Sequence, residues 1–536
     1  MDAPTSVLIL LTVAALAVGL DAVLVIGWHR RHEGKSFWHP LLTSGLGRFE
    51  SSRRRLAEGS AALARELCAL SVDLRRDELN LLRAVLLAAS LWFSANLGYA
   101  NLHAEMVDLW QPWAWLACLA LALAALAPRV ACRFAFNRTD LLVLVPIGIA
   151  FIVRVVQLES IPSGLHTDEV TTADFTLRYI FPGTGKTFFP LRSGPDSQPT
   201  LFYYIVRLSL GLFGHSITAL RLPSVLAGCL AILATYALIA LWQDRRTALI
   251  AALLLSTYHY HVHWSRIALN NVWDTVWIPL ILASLIWGWK SHWSGGALIA
   301  GLAIGLSQHF YVGSRIALVL VPYVLYQLWK QDRDLRKLLV HTFKMSAIAV
   351  VVALPLAMFT VANPQISLSR AQANYAWLPD AVSRYGTSWW SFLRLGVEQA
   401  WLALAGLTVL SDRSGFYGPG IPFLVGLAGL LFLAGLIWAL HKRQHLPLLW
   451  ILTTFFFASV LISGPPHSSH TIGAVPAIMW VLALLVSDLA RLRSPRLAWF
   501  VLVLLMLTDV VAYFGIIGAG GGDPYFSAPF PPNPFP

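Results

Sequence analysis

Apolar runs of near-bilayer length recur along this chain, and they leave few folds open to it. They fall near residues 84–103, 113–128, 141–156, 339–361, 421–440, 446–463, 471–489 and 497–517, among others. A helix needs about 20 apolar residues to cross the hydrocarbon core. Lipid offers no partner to a bare backbone N–H or C=O, so such runs must be helical. The chain is 57% hydrophobic and 12% charged, whereas soluble domains carry about 25% charged residues. We expect an all-α, polytopic integral membrane protein with about fourteen transmembrane helices.

Charge orients these spans. The formal net charge is +12, and Lys and Arg collect in short loops near 29–83, 129–139, 243–246, 331–338, 441–445 and 490–496. Loops of that kind stay in the cytoplasm, so the basic excess implies no nucleic-acid partner. The first run, 6–28, is followed rather than preceded by its basic residues, Arg30 and Arg31. It reads as a retained helix with its N-terminus outside. Leu56–Leu70 has helical apolar spacing, compatible with a helix on the membrane surface or one packed on a partner. Cys68, Cys118, Cys132 and Cys229 have no zinc-like spacing and imply no disulfide framework. Leu201–Phe213, rich in Tyr and Phe, and a segment near 395–410 are expected to lie at the outer interface.

With this orientation, four polar stretches are expected on the same outer side: His166–Glu169, His259–Asp274, His309–Arg315 and His467–His470. Ionisable groups close to a membrane are costly and mark sites or pathways. Asp168 is suited to take a proton from a hydroxyl. Arg266, Tyr311 and Arg315 are suited to hold a phosphate. A base opposite an anion clamp, within apolar bulk, fits group transfer from a lipid-linked phosphate donor. His259, His261 and His263 alternate in sequence. They would converge on a metal only in an extended chain; on a helix they diverge, which favours a structural role.

The motifs Gly164-Leu-His-Thr-Asp168-Glu169, Gln198-Pro-Thr-Leu-Phe-Tyr-Tyr204, Leu220-Arg-Leu-Pro-Ser224, Ser265-Arg266 with Asn270-Asn271, and Tyr311-Val-Gly-Ser-Arg315 follow one another in this order. Over about Leu141–Ser487 the chain thereby resembles the C-type membrane glycosyltransferases, in particular the protein O-mannosyltransferases and the lipid A aminoarabinose transferases. The resemblance implies a C-type glycosyltransferase fold over 139–518, an N-terminal extension over 1–138 and a Gly- and Pro-rich outer tail over 519–536. It implies an inverting transfer from a polyprenyl-phosphate sugar to an acceptor hydroxyl on a protein, glycan or lipid, at the outer face of a bacterial cytoplasmic membrane. Asp168 would be the base and Glu169 its neighbour. His166, Arg266, Asn270, Asn271, Asp274, Tyr311, Arg315 and His470 would line the substrate and lipid-phosphate site. No cofactor is demanded, and participation of a divalent metal stays open. The family's second Asp is Asn270 here, with Asp274 a helical turn on. A second reading makes the chain an inactive scaffold of the same fold, joined to membrane-complex partners through its N-terminal extension.

Overall fold

The structure, a computed structural model, describes residues 81–103, 110–128, 137–180, 198–366, 382–417, 420–462 and 464–515, and the backbone of 516–517 and 526–528. The expected first span, the basic stretch 29–80, the surface helix at 56–70, the acidic loop residues Glu105 and Asp108 and most of the link 129–139 lie outside the described residues. All of the described residues belong to one compact unit, Asp77–Pro536.

The described elements begin with α1 (Leu81–His103), α2 (Trp110–Leu126), α3 (Leu144–Val155), β1 (Leu165–His166) and α4 (Thr167–Tyr179). Next come α5 (Leu201–Phe213), α6 (Ile217–Trp242), α7 (Arg245–Thr257), α8 (His259–Trp264), α9 (Asp274–Lys290), α10 (Gly295–Ser307), α11 (Ala317–Asp332) and α12 (Leu335–Ala362). The last are α13 (Trp389–Thr408), α14 (Leu427–His441), α15 (His445–Phe455), α16 (Ser468–Thr471), α17 (Val475–Leu492), α18 (Pro495–Val511) and β2 (Phe526–Ala528). Among the described residues, seven helices are long and apolar enough to cross a membrane, and five shorter helices are apolar. This is an all-α integral membrane protein. The ribbon β1–β2 is a small exception to its helical character.

The helices start where the sequence places capping residues. Asp244 accepts from the Thr247 backbone N–H, Asp334 from that of Lys337, and Ser494, followed by Pro495, from that of Leu497. Each cap satisfies an N–H that the first helical turn leaves orphaned. The same loops are the basic ones, and they join at one end of the molecule. Arg491 pairs with Asp244 (3.0 Å) and Asp488 (3.5 Å), and Lys442 also reaches Asp488 (3.5 Å). Arg245 pairs with Asp140 (2.7 Å). α6 runs from Arg221 near its start to this basic end, a rise of about 30 Å at 1.5 Å per residue.

Small residues set the closest helix contacts. α10 is wedged between α9 and α12 through Gly296, Gly301 and Gly305. A Cβ at Gly296 would lie 2.5 Å from Gly288 Cα, one at Gly301 2.2 Å from the Met345 carbonyl oxygen, and one at Gly305 2.6 Å from Val352 Cβ. Close backbone approach of this kind is how helices associate where lipid removes the hydrophobic drive. α1 and α2 pack on α12, where the Ser94 hydroxyl donates to the Val351 carbonyl (2.8 Å) and Trp115 Nε1 to that of Val352 (3.2 Å). Gly301→Val should therefore destabilise the protein by about 3 kcal/mol, the upper end of overpacking costs. Thermal unfolding in detergent checks this, with Gly211→Val as control, because a Cβ at Gly211 meets nothing within 4 Å. Equal midpoints for the two variants would contradict the α10–α12 contact.

Candidate active site

Two adjacent acids open α4, and the helix register assigns them different environments. His166 is the N-cap: its Nδ1 accepts from the Asp168 backbone N–H (3.1 Å), while its own N–H donates to Glu169 Oε2 (3.0 Å). This reciprocal capping box turns Glu169 inward, where it is fully buried. Asp168 is half-buried, at a helix N-terminus whose dipole favours a carboxylate.

Glu169 is saturated. Arg221 Nε donates to its Oε1 (2.9 Å) and Arg221 Nη2 to its Oε2 (3.0 Å). The Ala268 backbone N–H adds a further bond to Oε1 (2.8 Å). Arg221 is also fully buried, and its remaining N–H groups donate to the carbonyls of Leu158 (2.8 Å), Pro162 (3.2 Å) and Gly164 (2.6 Å). One ion pair thus ties α6, the loop that follows α3, the start of α4 and the Ser265-Arg266 turn into a unit. Glu169 has no acceptor capacity left for a substrate, which corrects its expected place beside Asp168 in the chemistry. Its bonds tie the start of α4 to Arg221 and to the Ala268 backbone.

Arg266 also departs from expectation. It is fully buried, and its guanidinium donates to the carbonyls of Val153 (2.8 Å), Gln157 (3.0 Å) and Ile161 (2.8 Å). The Tyr513 and Phe514 rings lie 5.6 and 5.4 Å from it. Its charge is spent on capping the end of α3 and is not presented to a phosphate. Asp274 is fully buried at the start of α9, against the Gly313 backbone; a Cβ at Gly313 would lie 2.1 Å from Asp274 Oδ2. Asp274 offers no positive charge there and adds nothing to an anion clamp.

The remaining expected residues knit the stretches together. Asn270 Nδ2 donates to Gln198 Oε1 (2.7 Å) and to the Phe310 carbonyl (3.3 Å), and Asn271 Nδ2 donates to the Ser469 carbonyl (2.8 Å). The Tyr311 hydroxyl bonds His470 Nδ1 at 2.6 Å, and the two rings stack with centroids 6.1 Å apart. Arg315 is exposed, its Nε donating to Gln308 Oε1 (3.1 Å). Together with the Glu169–Ala268 bond, these contacts bring all four polar stretches to one place.

The three alternating histidines have separate partners on α8. His259 Nδ1 bonds the Tyr417 hydroxyl. His261 Nδ1 accepts from Arg154 Nη2 (2.8 Å), so its Nε2 faces the Thr275 hydroxyl (3.0 Å) as a donor. His263 Nε2 donates to the Phe416 carbonyl (2.7 Å). His259 and His263, one turn apart, both pack on the Tyr417 ring, whereas His261 turns to Arg154 and Thr275. Among the described residues, no group of three or more His, Cys, Asp or Glu is placed to hold a metal.

Sequence reasoning missed the strap Asp412–Tyr417. Phe416 stacks on His166 with centroids 4.4 Å apart. Asp412 accepts from the Ser468 N–H (2.8 Å) and hydroxyl (2.6 Å), fastening the strap to α16. The signal available was an acid among turn formers, Ser411-Asp-Arg-Ser-Gly415, in a chain poor in charge.

Residues 197–359 match the family described as dolichyl-phosphate-mannose-protein mannosyltransferase. Among curated proteins, the chain is similar to the undecaprenyl phosphate-alpha-4-amino-4-deoxy-L-arabinose arabinosyl transferase of Pseudomonas paraeruginosa, with 31% identity over 172 residues, 30% of each chain. A counterpart in Pseudomonas fluorescens is 26% identical over 169 residues, again 30% of each chain. The match therefore spans under a third of those relatives. Among solved structures, the Archaeoglobus fulgidus oligosaccharyltransferase superposes with a TM-score of 0.47 at 14% identity, over 73% of this chain and 54% of that one. ArnT from Cupriavidus metallidurans bound to undecaprenyl phosphate superposes with a TM-score of 0.41 at 16% identity, over 68% of this chain and 62% of that one. The family match includes Arg221, Arg266, Tyr311 and Arg315 but not Asp168, Glu169 or His470.

This geometry has two measurable consequences. Removing one partner of a buried ion pair leaves the other charge uncompensated, at about 3–5 kcal/mol. Glu169→Gln and Arg221→Gln should each lower the unfolding free energy by that much, and a double-mutant cycle should show strong coupling. A Glu169→Gln protein as stable as the parent would contradict the assignment. Burial pushes the His263 imidazole down to about 3 from its ordinary 6.5. The folded state thus resists a proton that the unfolded chain accepts, so this stabilisation is complete above the unfolded value and shrinks as pH falls towards the folded one. The thermal midpoint should drop between pH 7 and pH 5, and His263→Gln, which keeps a donor without titrating in this range, should flatten that dependence.

Proposed function

We propose that this protein is a membrane glycosyltransferase that moves a sugar from a polyprenyl-phosphate donor to an acceptor hydroxyl on the extracytoplasmic side, with Asp168 as general base. The observation that carries the proposal is the division of labour within the acid pair. Glu169 is locked by Arg221, and that lock fixes the half-buried Asp168 at a helix N-terminus where four polar stretches meet. The curated relatives are named as undecaprenyl-phosphate sugar transferases, which supports the donor class. The outer location is supported by the basic loops, which gather at the end of α6 opposite Arg221 and by rule remain cytoplasmic.

Asp168 takes the proton of the acceptor hydroxyl as that oxygen attacks the anomeric carbon from the face opposite the phosphate. The bond from carbon to phosphate oxygen breaks, and its electron pair leaves with the polyprenyl phosphate, inverting the centre. The leaving group is already an anion of low basicity, so it needs charge stabilisation more than protonation. Of the expected clamp residues, Arg315 is exposed and Tyr311 is paired with His470, and these are the groups we assign to the phosphate. With one base and one clamp the reaction balances, so Asn270 in place of a second acid is no obstacle.

Asp168→Asn keeps size and removes the base. A positioned base contributes about 10²–10⁴ in rate, and turnover of labelled polyprenyl-phosphate sugar should fall by that much while thermal stability is retained. Full transfer activity in a correctly inserted Asp168→Asn protein would refute the base. Arg315→Ala should weaken donor binding about 10–100-fold, the equivalent of one charge-assisted contact; unchanged binding would remove Arg315 from the site.

A further inference from the structure

The last described segment of the chain returns to the candidate base. β2 pairs antiparallel with β1, Leu165 opposite Ala528 and His166 opposite Phe526. The register shifts between Leu165 and His166, so Ser527 falls between the two paired positions. β1 runs straight into α4, and β2 contacts α4 as well. An extended segment carrying a hydroxyl residue therefore lies along the backbone that leads, within two residues of His166, to Asp168.

A ladder of two and three residues is marginal by itself, and few main-chain bonds stand between its occupant and another strand. Main-chain pairing is also indifferent to side chains, which is why an exposed strand edge accepts extended peptides in general. We propose that the edge of β1 is a strand-addition surface for an extended, hydroxyl-bearing polypeptide segment, and that Phe526–Ala528 is its displaceable occupant in cis. That such a segment is the sugar acceptor rests on the transferase reading; the pairing does not.

Hydrogen–deuterium exchange on the full-length protein in lipid nanodiscs tests the surface, read over residues 163–168. Ser527→Pro and, separately, Ala528→Pro each remove a strand N–H in the tail, outside the helical bundle. Exchange at Leu165 should rise about tenfold or more in either variant, since local opening governs protection, whereas His166, whose N–H is held by Glu169 Oε2, should keep its protection. Adding a synthetic peptide of residues 523–530 to the Ser527→Pro protein should restore protection, and the same peptide with proline at its serine should not. Unchanged exchange in both variants, or a peptide that fails to restore protection, overturns the proposal. A transfer arm with labelled polyprenyl-phosphate sugar separates the two claims. Sugar on the peptide supports both. Restored protection with transfer to other acceptors alone overturns the acceptor assignment, and restored protection with no transfer to any acceptor overturns the transferase reading and leaves the strand surface standing.

Discussion

The buried pair between Glu169 and Arg221 is the contact on which the rest of this site depends. Two charges without solvent would be costly alone, and each is compensated by further hydrogen bonds: three carbonyls for Arg221, and the backbone N–H groups of His166 and Ala268 for Glu169. The pair brings together segments that sequence separates by about a hundred residues, from Leu158 to Ala268. It also fixes the register of α4. With Glu169 drawn inward as the third residue of a capping box, Asp168 has its place decided for it. Such an arrangement leaves Asp168, the base we propose, half-buried beside a neighbour whose oxygens are all taken.

A second constraint is polarity along the helix axes. One end of the bundle is basic and cross-linked by Asp244, Asp488 and Arg491. The other carries His166, His470, the Asn270 and Asn271 amides and the acid pair. Between them the helices approach through glycines, with α10 seated against α9 and α12. The interior arginines extend the same logic. Arg154, Arg221 and Arg266 are all fully buried, and each donates to main-chain carbonyls around the loop after α3 or the end of α7. In a bundle where water is scarce, these guanidiniums stand in for the missing solvent and satisfy helix ends that would otherwise be orphaned.

Much of this was legible in the sequence, and the physics explains which part. Span positions follow from apolar run length. The meeting of the four polar stretches followed from topology alone, and the Tyr311–His470 and Asn271–Ser469 bonds join stretches well over a hundred residues apart. What sequence could not resolve is direction. Arg266 reads as a free cation until its guanidinium is seen to face the Val153, Gln157 and Ile161 carbonyls. Adjacent acids look equivalent until the capping register separates them, although His166-Thr-Asp-Glu169 does carry the spacing of a capping box. The strap at Asp412–Tyr417 and the strand at Phe526–Ala528 are too short to show any periodicity.

If this convergence of side chains is built around a lipid phosphate beside Asp168, the phosphate should be visible there. The most direct measurement is a cryo-electron microscopy structure of the full-length protein in nanodiscs containing undecaprenyl phosphate. Headgroup density is expected within hydrogen-bond reach of Arg315 or the Tyr311 hydroxyl, on the side that Asp168 faces, with Glu169 still paired to Arg221. A headgroup bound elsewhere, with Asp168 turned into packed protein, would contradict the assignment of both base and clamp.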